Sequence, residues 1–216
     1  MAEAGRYYEK ALAAGPPSPA LLNNLGNHHL TCGQPARART YFEQLLKLNP
    51  AHANANLQLA RLATARKQDA KSLEYLARVK DSAPAVSLLR AEASHWAGKR
   101  DTALKMLESL EKEANGDPRV LFTLGTVYAR LGLYGRAEAA FHAALVKHPG
   151  DFNVLFNLGR AAARAEHYDR AESALGAALK LRPGDGDSLL ELGLVHAARQ
   201  DYSRAVYLLA QARQRA

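Results

Sequence analysis

Apolar residues recur along this chain at helical spacing, and the whole pattern returns about 34 residues later. The clearest copy begins at Pro118, where two amphipathic stretches are separated by a short polar turn. Its skeleton and the next copy are Leu121, Leu124, Gly125, Ala137, Phe141, Ala144 and Pro149, followed by Leu155, Leu158, Gly159, Ala171, Leu175, Ala178 and Pro183. A fixed period of this length with two helices per copy predicts an all-α solenoid of stacked helix pairs.

Small residues mark the place where the two helices of each copy approach each other. With Pro118 as position 1, large residues occupy positions 4, 7, 11 and 24, small residues occupy positions 8, 20 and 27, and proline occupies position 32. Gly125 and Ala137 leave room for a close helix contact, and Pro149 ends the second helix because proline cannot continue it. Ser18 before Pro19 and Asp117 before Pro118 are the expected N-caps of first helices.

This pattern resembles the tetratricopeptide repeat, and the resemblance covers nearly the whole chain. It implies a right-handed superhelical solenoid of antiparallel helix pairs with about 13 helices, in which the first helices line a concave face. We predict a single solenoid over residues 1–216, with a half repeat at 2–16 and repeats at 19–52, 53–83, 84–117, 118–151, 152–185 and 186–216.

The half repeat looks like a second helix that lacks its first helix. Tyr8 and Ala11 precede their counterparts Phe42 and Leu45 by one full period. The natural protein is therefore expected to be longer. Solenoids usually need capping repeats at both ends, so we also expect end-to-end self-association.

Repeat 3 is irregular, and the sequence allows two registers for it. In the first register Ala91 takes the small position, in series with Gly26, Ala60 and Gly125. The step from Ala60 to Ala91 is then shorter than one period, whereas the steps before and after it are full periods. This register puts Arg90 where leucine is expected.

The second register of repeat 3 places Leu89, Ala93 and Trp96 on the packed face instead. In either case Trp96 is expected to fill the core, because an aromatic residue beside an apolar helical stripe usually packs there. The second helix of repeat 2 is expected to end early, at residues 80–82.

The positions that line the concave face, by resemblance, are positions 2, 5, 6, 9 and 13 of each first helix. Their asparagine and glutamine amides suit the backbone of an extended peptide, their arginines suit carboxylates, and their phenylalanines suit apolar side chains. The sixth repeat, 186–216, would add Asp187, Leu190 and Glu191. The candidate peptide-binding residues are Asn23, Asn24, Asn27, Asn54, Gln58, Arg61, Arg119, Phe122, Thr123, Thr126, Asn153, Phe156, Asn157, Arg160 and Arg164.

Catalytic and metal-binding patterns are not apparent in the sequence. There is no glycine-rich phosphate loop and no nucleophile elbow, and the eight histidines lack the spacing of a zinc site. Cys32 lies near His28 and His29 in sequence, which alone does not make a nucleophile. His29 and His196 stand at the position of Tyr128 and are expected to be partly buried packing residues. We therefore predict no cofactor, no metal and no enzymatic activity.

The net charge of +8 raises nucleic-acid binding as an alternative function. The basic residues are dispersed without a run of five or more, which is typical of a solvated helical surface. The corresponding side chains of successive repeats also vary without an evident base code. The prediction is accordingly a protein–protein interaction scaffold that binds extended peptides or partner domains, acidic ones included. A nucleic-acid-binding repeat protein and a recruiting arm of a larger enzyme remain the alternatives.

The sequence contains no apolar run of about 18 residues, so no membrane-spanning helix is expected. The first residues lack the apolar core of a signal peptide. These features favour a cytoplasmic location, and a periplasmic one stays open if a signal segment was removed. The alanine- and arginine-rich composition favours a bacterial source.

Overall fold

The computed structural model describes residues 2–81 and 83–215, together with the side chains of all of these except residues 2–6 and 9. Every regular element in that part of the chain is an α-helix, and there are 13 of them, which confirms the predicted all-α class. The helices are α1 (Ala2–Ala13), α2 (Pro19–Thr31), α3 (Pro35–Leu48), α4 (Ala53–Ala65), α5 (Asp69–Leu76), α6 (Pro84–Trp96), α7 (Arg100–Glu113), α8 (Pro118–Arg130), α9 (Tyr134–Lys147), α10 (Phe152–Arg164), α11 (Tyr168–Leu181), α12 (Gly186–Ala198) and α13 (Tyr202–Arg215).

The helices form two compact units, Met1–Leu107 and Glu108–Ala216. In the first unit α2 packs on α3 and α4 packs on α5, and α6 follows. In the second unit the pairs are α8–α9, α10–α11 and α12–α13, and consecutive pairs pack on each other. Each pair is therefore the predicted helix–turn–helix repeat.

The small position 8 is explained by contacts inside each pair. A Cβ atom added to Gly125 of α8 would lie 2.7 Å from the ring of Phe141 on α9. One added to Gly159 of α10 would lie 2.5 Å from Cγ of Leu175 on α11. Both partners are fully buried. Glycine is therefore needed because the side chain of the second helix lies directly on the backbone of the first.

Left-handed residues end the first helices at a constant place and settle the register of repeat 3. A residue with positive φ lies between the two helices of each pair, and these residues are Gly33, Lys67, Gly98, Gly132, Glu166 and Gln200. Successive members are one full period apart, except that the step from Lys67 to Gly98 is shorter. Gly98 follows Ala91 at the same interval as Gly132 follows Gly125. Ala91, which is fully buried, therefore occupies the small position, as in the first register.

Arg90 occupies a leucine position because it caps the end of a short helix. Its Nη2 donates to the carbonyl oxygen of Leu76 at 3.2 Å and to that of Val79 at 3.1 Å. Carbonyls at the end of a helix have no partner within the helix, and an arginine can satisfy them. The expectation that this helix ends at residues 80–82 was wrong, since α5 ends at Leu76.

Trp96 was expected in the core, and this prediction was wrong. Its side chain is 53% exposed at the end of α6, where it makes an edge contact with His95 at a centroid distance of 5.1 Å. In the observed register Trp96 stands at position 13, one of the lining positions, so its exposure follows from the register. The second register had placed it on the packed face. Ala93, from that same register, is nevertheless fully buried.

The predicted N-caps are confirmed where the structure describes them. The hydroxyl of Ser18 accepts from the backbone N–H of Leu21 at 3.2 Å, and the carboxylate of Asp117 accepts from that of Arg119 at 2.9 Å. Asp151 and Asp185 cap α10 and α12 in the same way. These caps satisfy N–H groups that have no partner inside the helix.

Candidate functional site

Four of the predicted residues form a hydrogen-bonded amide cluster in the first unit: Asn23 and Asn27 of α2, and Asn54 and Gln58 of α4. Nδ2 of Asn54 donates to Oδ1 of Asn23 at 2.7 Å and to Oδ1 of Asn27 at 3.4 Å. Nε2 of Gln58 donates to Oδ1 of Asn54 at 3.3 Å. All four side chains are half-buried. The amide cluster thus holds polar groups of two successive first helices in a common orientation.

The amide cluster retains hydrogen-bonding capacity for a ligand. Asn23 and Asn27 accept within the cluster through Oδ1, which leaves their NH₂ groups as donors. Gln58 donates within the cluster, which leaves its Oε1 as an acceptor. Asn24 and Arg61 are exposed and are not part of the bonds that define the cluster. Donors and acceptors fixed in this way match the alternating groups of a peptide backbone.

In the second unit, a cleft of about 450 Å³ lies between the beginnings of α8 and α10. Four of the predicted residues line this α8–α10 cleft: Arg119, Phe122, Thr123 and Asn153. Arg119 is exposed and lies 3.3 Å from its neighbour Asp117, measured between Nη2 and Oδ2. The ring of Phe122 is half-buried and packs against Phe141 at a centroid distance of 5.6 Å.

Several predicted polar side chains of the second unit bind their own helix. The hydroxyls of Thr123 and Thr126 donate to the carbonyl oxygens four residues earlier, at 2.8 and 3.0 Å. Nδ2 of Asn157 donates to the carbonyl oxygen of Asn153 at 2.8 Å. Such local bonds are common for these residue types. These local bonds leave fewer hydrogen-bond donors for a ligand in the second unit than in the amide cluster.

Arg160 and Arg164 of α10 share one carboxylate of this same chain. Nε of Arg160 lies 3.1 Å from Oε1 of Glu191, and Nη1 of Arg164 lies 3.3 Å from Oε2. The side chain of Glu191 is only 11% exposed, whereas both arginines are nearly half exposed. The guanidinium of Arg160 also lies over the ring of Phe156, at 5.4 Å from its centroid. An acidic ligand would therefore compete with Glu191 for these arginines.

The sequence holds a signal for this pairing that the repeat pattern alone did not reveal. Glu191 follows Arg160 at the same interval as Asn54 follows Asn23, and it follows Arg164 at the same interval as Asn54 follows Asn27. These intervals are one period minus one or two helical turns. A first-helix residue therefore meets residues one and two turns further along the preceding first helix.

Phe156 belongs to an aromatic stack on α10. Its ring lies 6.1 Å from that of Phe152, with an interplanar angle of 6°. The guanidinium of Arg182 lies over Phe152 at 3.9 Å from the ring centroid. Whether Phe122 and Phe156 hold a ligand's apolar side chain between them stays a prediction.

A second cleft lies between α9 and α11, on second helices rather than first helices. Leu155 and Leu158 of α10 are among the residues that line it. At its edge the carboxylate of Glu138, 7% exposed, accepts from His167 Nδ1 at 2.6 Å and from Arg170 Nη1 at 2.9 Å. Sequence reasoning missed this pairing, because both partners lie in the following repeat.

Stability should depend on pH through Glu138. Burial raises the pKa of Glu138, but the hydrogen bonds from Arg170 and His167 together outweigh burial and hold this pKa below the ordinary value of 4.5. A depressed pKa means that the ionised carboxylate stabilises the folded chain above pH 4.5, and that this contribution disappears as the pH falls through the lowered pKa. Urea unfolding at a series of pH values should show a steeper loss below pH 4.5 for the parent chain than for Glu138→Gln. Parallel curves would contradict this assignment.

The remaining candidate groups are Cys32, His29 and His196. The sulfur of Cys32 is exposed and lies 3.7 Å from Nε2 of His28. His29 is half-buried and stacks on Tyr41 at a centroid distance of 5.3 Å, and His196 is buried, so both are the packing residues that were predicted.

Two further observations concern metals and membranes. Within residues 2–81 and 83–215, no three histidine, cysteine, aspartate or glutamate side chains are grouped in a way that could hold a metal ion. Among the same residues, no helix combines the length and the apolar character that crossing a membrane requires.

Models of a known repeat family also match this chain. One tetratricopeptide repeat model matches residues 23–87 and 156–216, and a second matches residues 118–161. Among curated proteins, the general transcriptional corepressor trfA of Dictyostelium discoideum is 27% identical over 134 residues. That match covers 56% of this chain, and the chain spans only 9% of the length of the corepressor.

Solved structures with the same fold include three assemblies or proteins of different kinds. The Cut9–Hcn1 hetero-tetramer of the APC/C aligns with a TM-score of 0.70 and 20% identity, over 99% of this chain and 43% of that one. PilW, a type IV pilus biogenesis factor, aligns with a TM-score of 0.71 and 17% identity, over 91% and 93% of the two chains. MamA from MSR-1 aligns with a TM-score of 0.57 and 21% identity, over 82% and 95%. At these identities the likeness concerns the fold.

Proposed function

Because this chain belongs to the tetratricopeptide repeat family, we propose that it is a non-enzymatic scaffold that binds an extended peptide segment of a partner protein on its first helices. The family fold is generally a scaffold and is typical of protein–protein interaction. The side chains of the first helices define the place and the chemistry of this binding.

The amide cluster is the observation that carries this proposal. An extended peptide has free N–H and C=O groups that lose water on binding and must find partners. The amide cluster offers NH₂ donors at Asn23 and Asn27 and an acceptor at Gln58, and internal bonds hold these groups in place. Such preorganisation lowers the entropic cost of binding. Arg61, one turn from Gln58 on α4, would meet an acidic side chain of the same peptide.

The second unit would contribute less to an acidic peptide than the residue types suggest. Arg160 and Arg164 are paired with Glu191, whereas Arg119 is highly exposed at the α8–α10 cleft. A bound peptide would therefore place a carboxylate at Arg119 and an apolar side chain against Phe122. Within the second unit, a preference for acidic ligands would then depend on Arg119.

Removal of one amide should test the proposal. Peptides are first selected from a displayed random library on the parent chain, and their affinity is then measured by isothermal titration calorimetry. Asn54→Ala removes the side chain that bonds to both Asn23 and Asn27, so the affinity should fall about tenfold. Asn49→Ala, an equally small change at an exposed residue at the end of α3, should leave the affinity within about twofold.

Two results would overturn the proposal. Selection could enrich no peptide over an unrelated helical protein, which would exclude peptide binding of useful affinity. Alternatively, the two variants could weaken binding equally, which would place the bound peptide away from the amide cluster.

A further inference from the structure

A narrow slot in the first unit is bordered by α3 and α5, the second helices of the first two full repeats, and by α4 between them. We call it the α3–α5 slot. Its volume is about 10 Å³, which is room for about one water molecule. Leu59, Leu62 and Ala63 of α4 form its apolar side. Its other lining side chains are polar, charged or aromatic, and they are Arg39, Arg66, Gln68, Lys71 and Tyr75.

The α3–α5 slot is the counterpart of the cleft between α9 and α11. Both are lined by position 21 of one repeat and by positions 16 and 19 of the next repeat. These positions hold Arg39, Gln68 and Lys71 in the slot, and Glu138, His167 and Arg170 in the cleft. The second unit therefore shows how side chains at these positions pair.

In the second unit a carboxylate at position 21 binds basic side chains of the following repeat. Glu138 accepts from His167 at 2.6 Å and from Arg170 at 2.9 Å. One repeat later Glu172, again at position 21, lies 2.7 Å from Nη1 of Arg199, which holds position 14. Both places thus contain a carboxylate among the basic side chains of the next repeat.

The α3–α5 slot has an arginine where its counterparts have that carboxylate. Arg39 stands at position 21, and the next repeat supplies Arg66 at position 14 and Lys71 at position 19. Among the described residues, the only ion pair in the slot joins Nε of Arg39 to Oε1 of Glu43 at 2.7 Å. Three positive charges and one negative charge leave a net charge of +2 at this place.

The slot also holds donors that are suited to an anion. Arg39 bonds to Glu43 through Nε, which leaves its two Nη nitrogens as donors. Gln68 is exposed and offers its NH₂ group. Burial raises the pKa of the Tyr75 hydroxyl above its ordinary value of 10.0, and the charge of Glu43 adds to this, so the hydroxyl keeps its proton. One oxygen of an oxyanion fits the slot in place of a water molecule.

We propose that the α3–α5 slot binds the phosphate monoester of a phosphorylated side chain on a partner protein. Such a group carries close to two negative charges at pH 7, which matches the net charge of the slot. The phosphodiesters of nucleic acids carry one charge each and match it less well. Because the slot admits one oxygen, the rest of the group stays at the surface, where an attached polypeptide has room.

This site is separate from the proposed peptide site. The α3–α5 slot is bordered by second helices, whereas the amide cluster belongs to the first helices α2 and α4. Its chemistry also differs, because it recognises a charge and not a peptide backbone. Asn54→Ala, which removes the centre of the amide cluster, should therefore leave phosphate binding unchanged.

A phosphoserine peptide is the probe for this inference. Phosphoserine is flanked by glycines, with both ends of the peptide blocked, and the peptide is added to the labelled parent chain at low salt near pH 7. The NMR signals of the Gln68 NH₂ group and of Arg39 Nε–H should shift in a saturable way. The same peptide without the phosphate should leave these signals in place.

Two double variants locate the bound phosphate. Arg66→Gln with Lys71→Gln should weaken binding at least about tenfold. Lys99→Gln with Lys105→Gln removes the same two charges from exposed residues outside the slot, and it should change the affinity less than about twofold. Circular dichroism should report the same helix content for all variants, since each substituted residue is exposed or half-buried.

A gain of affinity is expected from the opposite change. Glu43→Gln frees Arg39 from its competing carboxylate and should strengthen binding about threefold. Asp101→Asn, at an exposed residue of α7, raises the net charge by the same amount and should leave the affinity nearly unchanged. A purely structural role of the slot residues does not predict this difference.

Four results would contradict the inference. The first is absence of a saturable shift with the phosphoserine peptide, and the second is equal weakening by the two double variants. The third is inorganic phosphate that binds at least about tenfold more tightly than the peptide, which would assign the slot to free phosphate. The fourth is a thymidine oligonucleotide that loses at least as much affinity as the peptide in the Arg66→Gln, Lys71→Gln variant, which would assign the slot to nucleic acid.

Discussion

Replacing Phe141 by alanine should lower the free energy of unfolding by about 4 kcal/mol. The ring of Phe141 is 1% exposed and lies between α8 and α9, against the backbone of Gly125. Its removal leaves a cavity that the two helices cannot close without losing their other contacts. Urea unfolding followed by circular dichroism measures this loss. Val146→Ala, at an exposed residue on the same helix, is the control and should change stability by less than about 0.5 kcal/mol.

A second substitution tests the reason for the effect. In the parent chain Gly125→Ala should destabilise, because the added Cβ would lie 2.7 Å from the ring of Phe141. In the Phe141→Ala background the ring is absent, so the same change should stabilise by up to about 1 kcal/mol through the higher helix propensity of alanine. If Gly125→Ala has the same sign in both backgrounds, the close contact is not what selects glycine at this position.

Replacing Glu191 by lysine should cost about 2 kcal/mol of stability. The change removes the carboxylate between Arg160 and Arg164 and places a third positive charge there, at a side chain that is only 11% exposed. The arginines are nearly half exposed, and solvent screening keeps the cost below that of a fully buried pair. Urea unfolding measures the loss. Glu166→Lys makes the same change in net charge at an exposed turn residue, and it should have little effect because Lys67 already adopts the same positive φ.

Charge reversal on the partner helix should restore most of this stability. The triple variant with Glu191→Lys, Arg160→Glu and Arg164→Glu forms the same ion pairs with opposite sign. A restored free energy of unfolding would identify the pairing itself as the cause. If the triple variant is no more stable than Glu191→Lys alone, the carboxylate acts through its packing on α10 and not through its charge.

Features that depend on neighbours within one repeat were predictable from the sequence. The glycine at position 8, the aspartate caps and the helix-ending prolines follow from steric fit and from local hydrogen bonds. The register of repeat 3 was present as one of two alternatives. The choice between the two registers required the backbone conformation, because Gly98 marks the end of α6 only through its positive φ.

Features that depend on contacts between repeats were not predictable in the same way. Arg90 looked misplaced until the structure showed it bonded to the carbonyl oxygens of Leu76, the last residue of α5, and of Val79, which follows that helix. Arg160 and Arg164 appeared to be ligands for an acidic partner, and they hold Glu191. Trp96 has a large aromatic side chain of the kind that usually packs in a core. It lies at position 13 of its repeat, however, and its side chain is exposed.

The sequence by itself therefore determined the family, the helix pairs and most of their boundaries, because a helix and its caps depend on residues within a few positions of each other. Only the tertiary structure decided which polar side chains remain available to a partner. Stacking brings side chains of successive repeats into contact, as it does for Asn23 and Asn54. Some residues that look free within their own repeat, such as Asn23 and Arg160, are therefore bonded to the next one. The amide cluster keeps donors and an acceptor after those bonds are made, whereas the arginines of α10 are already paired.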